Sequence, residues 1–181
     1  DKGELTVFMV DERHLHGVTF VDGLEGKGER ITASIKNIRE KQSYFGALDY
    51  GKREFLLQAY NRADSQSTKA FIEHLRLERK GQRVVIFLDE AGYHRCKEIR
   101  AYLEEVNQRL RGEEWLVRCT LFAPYAPEQK PVENIGLQGK QFVGWFYQTC
   151  QSFKQVKALF EWFIDHQIFD LPKLYTYWNL S

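Results

Sequence analysis

Three acidic residues stand where they can do chemistry together. Asp11 follows the apolar run Leu5–Val10, Asp89 follows the run VVIFL that ends at Leu88, and Glu133 lies two residues past Pro131. Ligand sites in open α/β sheets lie at the carboxyl ends of strands. If the two runs are neighbouring strands, Asp11 and Asp89 face each other across a sheet edge, and an acid on a later helix can close the cluster. Three clustered carboxylates repel one another without a cation. Hard oxygen donors select Mg²⁺, with Mn²⁺ as a substitute. Two such ions about 4 Å apart can stabilise both the attacking and the leaving oxygen of an in-line phosphoryl displacement. Each acid also has a plainer role open to it. Asp11 can end a strand beside a turn, Asp89 can cap the segment after it, and Glu133 can stabilise the start of a helix by its charge.

The elements that must position these acids can be read along the chain. Leu5–Val10 reads as a buried strand, and Glu12 to about Lys41, with four glycines and mixed charges, as an insertion or hairpin loop with one β-like patch at Ile31–Ile35. Ser43–Leu48 and Glu54–Tyr60 read as two strands joined by the turn Asp49-Tyr50-Gly51-Lys52. Asp64 or Ser65 can cap a helix that runs to about Arg79 and stops at Gly81. The β-branched run Arg83–Leu88 is a strand, followed by an amphipathic helix from about Lys97 to Arg111 that ends at Gly112. Trp115–Phe122 reads as a further strand. The segment APYAPEQKP cannot be helical, and Pro131 suits the first turn of a new helix carrying Glu133. A last amphipathic helix uses Phe153, Val156, Phe160, Phe163 and Ile164. This order predicts a mixed five-stranded sheet flanked by helices, an RNase H-like α/β fold with an insertion between the first two core strands.

Composition sets the outer bounds. The 181 residues fit one domain with a substantial core. A net charge of +1 argues against a protein built only to hold nucleic acid, although local basic patches can still do so. Cys96, Cys119 and Cys150 are far apart and lack metal-ligand spacing, so reduced thiols and a cytoplasmic setting are expected. There is no signal peptide and no apolar run long enough to span a bilayer. The start at Asp1-Lys2-Gly3, directly before a strand, reads as that of a fragment.

The blocks FMVDERHL, IFLDEAGYHR and LFAPYAPEQKPVENI, in that order, resemble the three catalytic blocks of mariner-superfamily DDE transposases, and most of all the bacterial insertion-sequence branch. YFGALDYGKREFLLQAYN and FEWFIDHQIFDLP extend the resemblance over nearly the whole chain. It implies that Asp11, Asp89 and Glu133 are the catalytic, metal-binding acids. Glu128, in the same block, matches a loop position that is often acidic but not catalytic. Such enzymes cut DNA at the ends of their own element and join the freed 3′ ends to target DNA. They act as dimers, so a homodimer is implied for the full-length protein. They also carry an N-terminal helix-turn-helix region that this chain lacks. Three positions depart from the family pattern: Glu90 after the second acid, Lys130 before the proline, and Gly136 where a tryptophan is usual.

His94 matches a histidine common in the second block and is expected to support the metal or the DNA; a surface histidine at the start of a helix is the alternative. Arg95 and Lys140 are candidate phosphate contacts. Arg13 and its basic neighbours could form a phosphate-contacting or dimer-contacting loop, but they share their segment with Glu12 and four further acids, which favours a solvated loop. Asp49 belongs to a hairpin turn. Tyr125 is expected to pack its turn, and Trp145, Phe146, Trp162 and Phe163 to lie in the core or an interface. Two other functions remain open on the residues alone: a ribonuclease H or resolvase type of nuclease, and an inactive DNA-binding descendant.

Overall fold

The computed structural model describes residues 4–17, 39–108, 110, 114–122 and 131–166. Among them are five strands: β1 (Leu5–His16), β2 (Lys41–Asp49), β3 (Phe55–Tyr60), β4 (Arg83–Leu88) and β5 (Val117–Leu121). Four α-helices accompany them: α1 (Ser65–Glu78), α2 (Lys97–Val106), α3 (Pro131–Phe146) and α4 (Phe153–His166). The strands form one sheet in the order β3-β2-β1-β4-β5. β1 runs antiparallel to β2 and parallel to β4, β2 and β3 pair antiparallel, and β4 and β5 pair parallel. The predicted mixed sheet is therefore present, with β1 and β4 at its centre.

Alternation along the strands builds two cores, because successive side chains point to opposite faces. Phe8, Val10, Phe45, Ala47, Val84, Ile86 and Leu88 pack with Phe71, Ile72 and Leu75 of α1 and Ile99 and Tyr102 of α2. On the other face Leu15, Tyr44 and Leu48 pack with Val132, Ile135 and Val143 of α3 and Val156, Phe160 and Ile164 of α4. Local signals set several boundaries. Asp64 caps α1 by accepting from the Ser67 amide at 2.9 Å. Gly81, at φ 87°, turns the chain after α1 towards β4. Pro131 opens α3, where its missing N–H would be unpaired in any case.

Four differences from the sequence reading stand out. β1 does not end at Asp11; it continues to His16, with Asp11 opposite Gly46 and His16 opposite Lys41 on β2. The outer half of β1 is polar because it leaves the sheet centre and lines a site rather than a core. α2 closes at Val106, so Leu110 lies beyond it, partly exposed. β5 is shorter than Trp115–Phe122. Trp145, Phe146 and Trp162 are exposed, at 72%, 44% and 52%. The Ile31–Ile35 patch, Arg111 to Glu113, Tyr125, Glu128 and Lys130 fall outside the described residues. Among the described residues, no helix is long and apolar enough to cross a membrane.

Candidate metal and nuclease centre

The parallel ladder between β1 and β4 brings two of the predicted acids to one level. Its last pair is Met9 with Phe87, and Asp11 and Asp89 each stand two residues further along their strands. β1 stays paired with β2 past this point, whereas β4 ends at Leu88. The gap opened beside β1 is where the site forms.

Asp11 points to the face covered by α3. Its Oδ2 lies 2.8 Å from Arg13 Nε, yet neither atom makes a hydrogen bond of acceptable geometry, and both are buried. The same guanidinium reaches α3: Arg13 Nη2 donates to the Glu133 carbonyl at 3.0 Å and lies 3.5 Å from Glu133 Oε1. Glu133 thus meets Asp11 through Arg13, with its carboxylate half-exposed. Burial raises the Asp11 carboxyl to about 6. Arg13 opposes that rise, and the charges of Glu133, Glu12 and Asp89 add to it. The charges of Glu133 and Asp89 thus both reach Asp11.

A second cluster sits beside the first. Glu12 alternates to the opposite face of β1 and meets the 3₁₀ turn Gly92–Arg95. His94 is buried there between two carboxylates. Its Nε2 lies 2.5 Å from Glu12 Oε1 and its Nδ1 lies 2.9 Å from Asp89 Oδ1. Tyr93 donates its hydroxyl to Glu12 Oε2 at 2.7 Å. Asp89 Oδ1 also accepts from the Ala91 amide at 2.9 Å. Burial alone would lower the His94 pKa, but its hydrogen bonds to Asp89 and Glu12 and the Glu12 charge outweigh it and hold the imidazole up at about 9. Ligand atoms of Glu12, Asp89 and His94 lie within 4.8 Å of one another, close enough to share a metal ion. Held between Glu12 and Asp89, His94 stands as an internal counter-charge that fixes the Asp89 carboxylate.

Lys140 lies one turn of α3 beyond Gly136, on the side of Glu133. Burial lowers its pKa, as does the Arg13 charge, while the Asp11 charge opposes that shift. It therefore stands beside the acids. Arg95 is exposed and folds back onto the Glu90 carbonyl at 3.3 Å. Asp49 serves the fold instead. Its Oδ1 accepts from the Gly51 and Lys52 amides at 3.0 Å each, and its Oδ2 accepts from Arg79 at 2.9 Å.

The donor set fits a divalent cation. Asp11 offers a buried oxygen with no hydrogen bond, beside Glu133, which shares Arg13 with it, and near Glu12 and Asp89, which His94 joins. Carboxylate oxygens are donors suited to Mg²⁺ and Mn²⁺. Sequence reasoning passed over Glu12 and Arg13 because their segment read as a charged loop. A signal was available: both lie within two residues of Asp11, and an extended DERHLH continuing the apolar run places Arg13 on the Asp11 face.

This sheet and its flanking helices make an RNase H-like catalytic core of the kind found in transposases and retroviral integrases. The chain belongs to the DDE superfamily endonuclease family, whose model matches residues 6–156. No curated protein matches the sequence. Among solved structures it is similar to the Mos1 transposase in its strand transfer complex, at 17% identity and a TM-score of 0.61 over 94% of this chain and 50% of that one. It is also similar to the Mos1 paired-end complex with the left transposon end, at 16% identity and a TM-score of 0.60 over 94% and 50%. The catalytic core domain of BIV integrase matches at 11% identity and a TM-score of 0.53 over 96% and 93%. The chain spans about half the length of the Mos1 chains in those complexes.

Proposed function

We propose that this chain is the catalytic core of a DNA transposase of the mariner superfamily, in the bacterial insertion-sequence branch. It would cut DNA at the ends of its element and transfer the 3′ ends into target DNA. The observation that carries this reading is the Asp11 carboxylate: buried, hydrogen-bond-poor at Oδ2, and raised to about 6 by its surroundings and three acid neighbours. A structural aspartate is normally satisfied, as Asp49 is; an unsatisfied one in an acid cluster is suited to a cation. Membership in an endonuclease family and the three ordered motif blocks agree with it. The similar Mos1 structures hold transposon ends, and one contains Mn.

In this reading Asp11, Asp89 and Glu133 hold Mg²⁺, or Mn²⁺ in its place, as a pair of ions. When bound, the ions supply charge stabilisation to both oxygens of an in-line displacement at phosphorus. The protein's own residues do the rest. His94 holds the Asp89 carboxylate in one orientation through Nδ1, while its Nε2 engages Glu12. Glu133, on the first turn of a helix, keeps its carboxylate accessible to solvent and so to substrate. Lys140, lodged beside the acids, offers a cation to a backbone phosphate, as does Arg95 at the rim. DNA, as element ends and target, is the partner; a homodimer and a separate helix-turn-helix reader belong to the whole protein, and its place of action is the bacterial cytoplasm.

Mn²⁺-dependent nicking of duplex DNA, abolished by Asp89→Ala, tests the reading. Nicking retained in that variant contradicts it. Joining of a 3′-ended oligonucleotide to a second DNA separates a transposase from other nucleases of this fold, and cutting confined to RNA–DNA hybrids would favour the ribonuclease H type.

A further inference from the structure

Arg13 occupies a position that a cation needs. Its guanidinium lies 2.8 Å from Asp11 Oδ2 and 3.5 Å from Glu133 Oε1, so one side chain spans both acids. The contact to Asp11 is short but badly aligned: Nε and Oδ2 are both left without a hydrogen bond. Charge proximity, not hydrogen bonding, therefore holds the pair together. The fold also makes room for it. A Cβ on Gly136 would stand 2.7 Å from Arg13 Cγ and 2.7 Å from its Nε, so any larger residue there would displace the side chain. A guanidinium that bridges two carboxylates through poor bonds, over a helix position emptied for its stem, acts as a spacer between like charges.

We propose that Arg13 is a resident counter-cation of the metal-free site, which a divalent ion must displace from Asp11 in order to bind. This rests on the reading that Asp11 and Glu133 hold that ion. Mg²⁺ sits about 2.0–2.1 Å from its oxygen donors. An ion at that distance from Oδ2 would be pressed against the Arg13 Nε, where two positive charges in a partly buried site repel strongly. The guanidinium therefore leaves Asp11 when the ion arrives, and metal affinity is set by the difference between the two cations. Arg13 thereby keeps Asp11 and Glu133 from repelling one another in the metal-free protein, at the expense of metal affinity.

The sign of the effect separates this role from ordinary support. Removing an outer partner that orients a metal ligand usually weakens binding by about 10–100-fold. Removing a competing cation strengthens it. Titration of the chain with Mn²⁺, following the free-ion signal by electron paramagnetic resonance, reads affinity directly and independently of activity. Arg13→Gln is expected to bind Mn²⁺ about tenfold more tightly than the wild type. Gly136→Ala, which keeps Arg13 but crowds its stem, is expected to change affinity in the same direction by less. Unchanged or weaker binding in Arg13→Gln overturns the proposal. Should that variant fail to fold, unchanged or weaker binding in Gly136→Ala overturns it equally. Asp11→Asn is the control for the underlying reading: if it binds Mn²⁺ as the wild type does, Asp11 is not a ligand and both ideas fall.

Discussion

Gly136 of α3 lies directly beneath the stem of Arg13 on β1: a Cβ there would stand 2.7 Å from Arg13 Cγ. Arg13, from the neighbouring strand, occupies the space that a side chain at this position would need. The two residues are therefore coupled. Gly136→Trp alone is expected to cost about 1–3 kcal/mol through overpacking. Combined with Arg13→Ala, it should cost less than the sum of the single changes by more than about 0.5 kcal/mol. Urea unfolding of the four proteins measures this, and strict additivity would show that the two positions do not compete for one space.

His94 lies between Glu12 and Asp89, and its pKa of about 9 stands above the unfolded value of 6.5. The folded state therefore keeps a proton that the unfolded chain releases between those values. The stabilisation is full below pH 6.5 and is lost as pH rises through 9. His94→Gln should reduce stability by about 3 kcal/mol at pH 6, and the gap to the wild type should narrow between pH 6.5 and 9. A gap that stays constant across that window would mean the imidazole is not charged in the folded protein.

Asp11 has the opposite consequence for stability. Its carboxyl is raised from 3.8 to about 6, so the folded state favours the neutral acid and pays for the ionised one at pH 7. Unfolding free energy falls as pH rises from about 4 to 6, and Asp11→Asn removes that penalty. In metal-free buffer the variant should be about 1–2 kcal/mol more stable than the wild type at pH 7. The advantage should disappear at pH 4, while nicking activity is lost. Thermal melts at both pH values, in chelator, decide the point; a variant less stable than the wild type at pH 7 would show that Asp11 is satisfied by its protein surroundings.

Asp49 is the contrasting acid. It is buried with Arg79, holds two amides of the β2–β3 turn, and shares Arg79 with Glu54. Breaking a buried pair by removing one partner costs about 3–5 kcal/mol. Asp49→Ala should lower the melting temperature strongly, yet leave the Mn²⁺ affinity of the protein that remains folded unchanged. A loss of metal affinity on that scale would move Asp49 into the site.

The elements with a simple apolar period were readable from the sequence. The VVIFL strand, the Asp64 cap and the Pro131 helix start each follow from local chemistry that the rest of the fold does not override. The outer half of β1 was not readable, because DERHLH carries its meaning in charge rather than in hydrophobic alternation; only Leu15 is buried into a core there. The same reason hid Glu12 and Arg13, whose partners are 82 and 120 positions away in the chain. Trp145 and Trp162 lie exposed on the outer sides of α3 and α4, so of the two places expected for them, core or interface, the core is excluded. Motif position identified Asp11, Asp89, Glu133 and His94 as candidates, but the placing of Arg13 between Asp11 and Glu133 follows only from the fold.

The most direct test of the account is a crystal structure of the chain soaked with Mn²⁺, with the ion located by its anomalous scattering. The expected result is Mn²⁺ bound by carboxylate oxygens of Asp11 and Asp89, with Glu133 turned towards it and the Arg13 guanidinium moved off Asp11. Mn²⁺ absent from Asp11, or held by Glu12 and Asp89 while Arg13 stays in place, would contradict it.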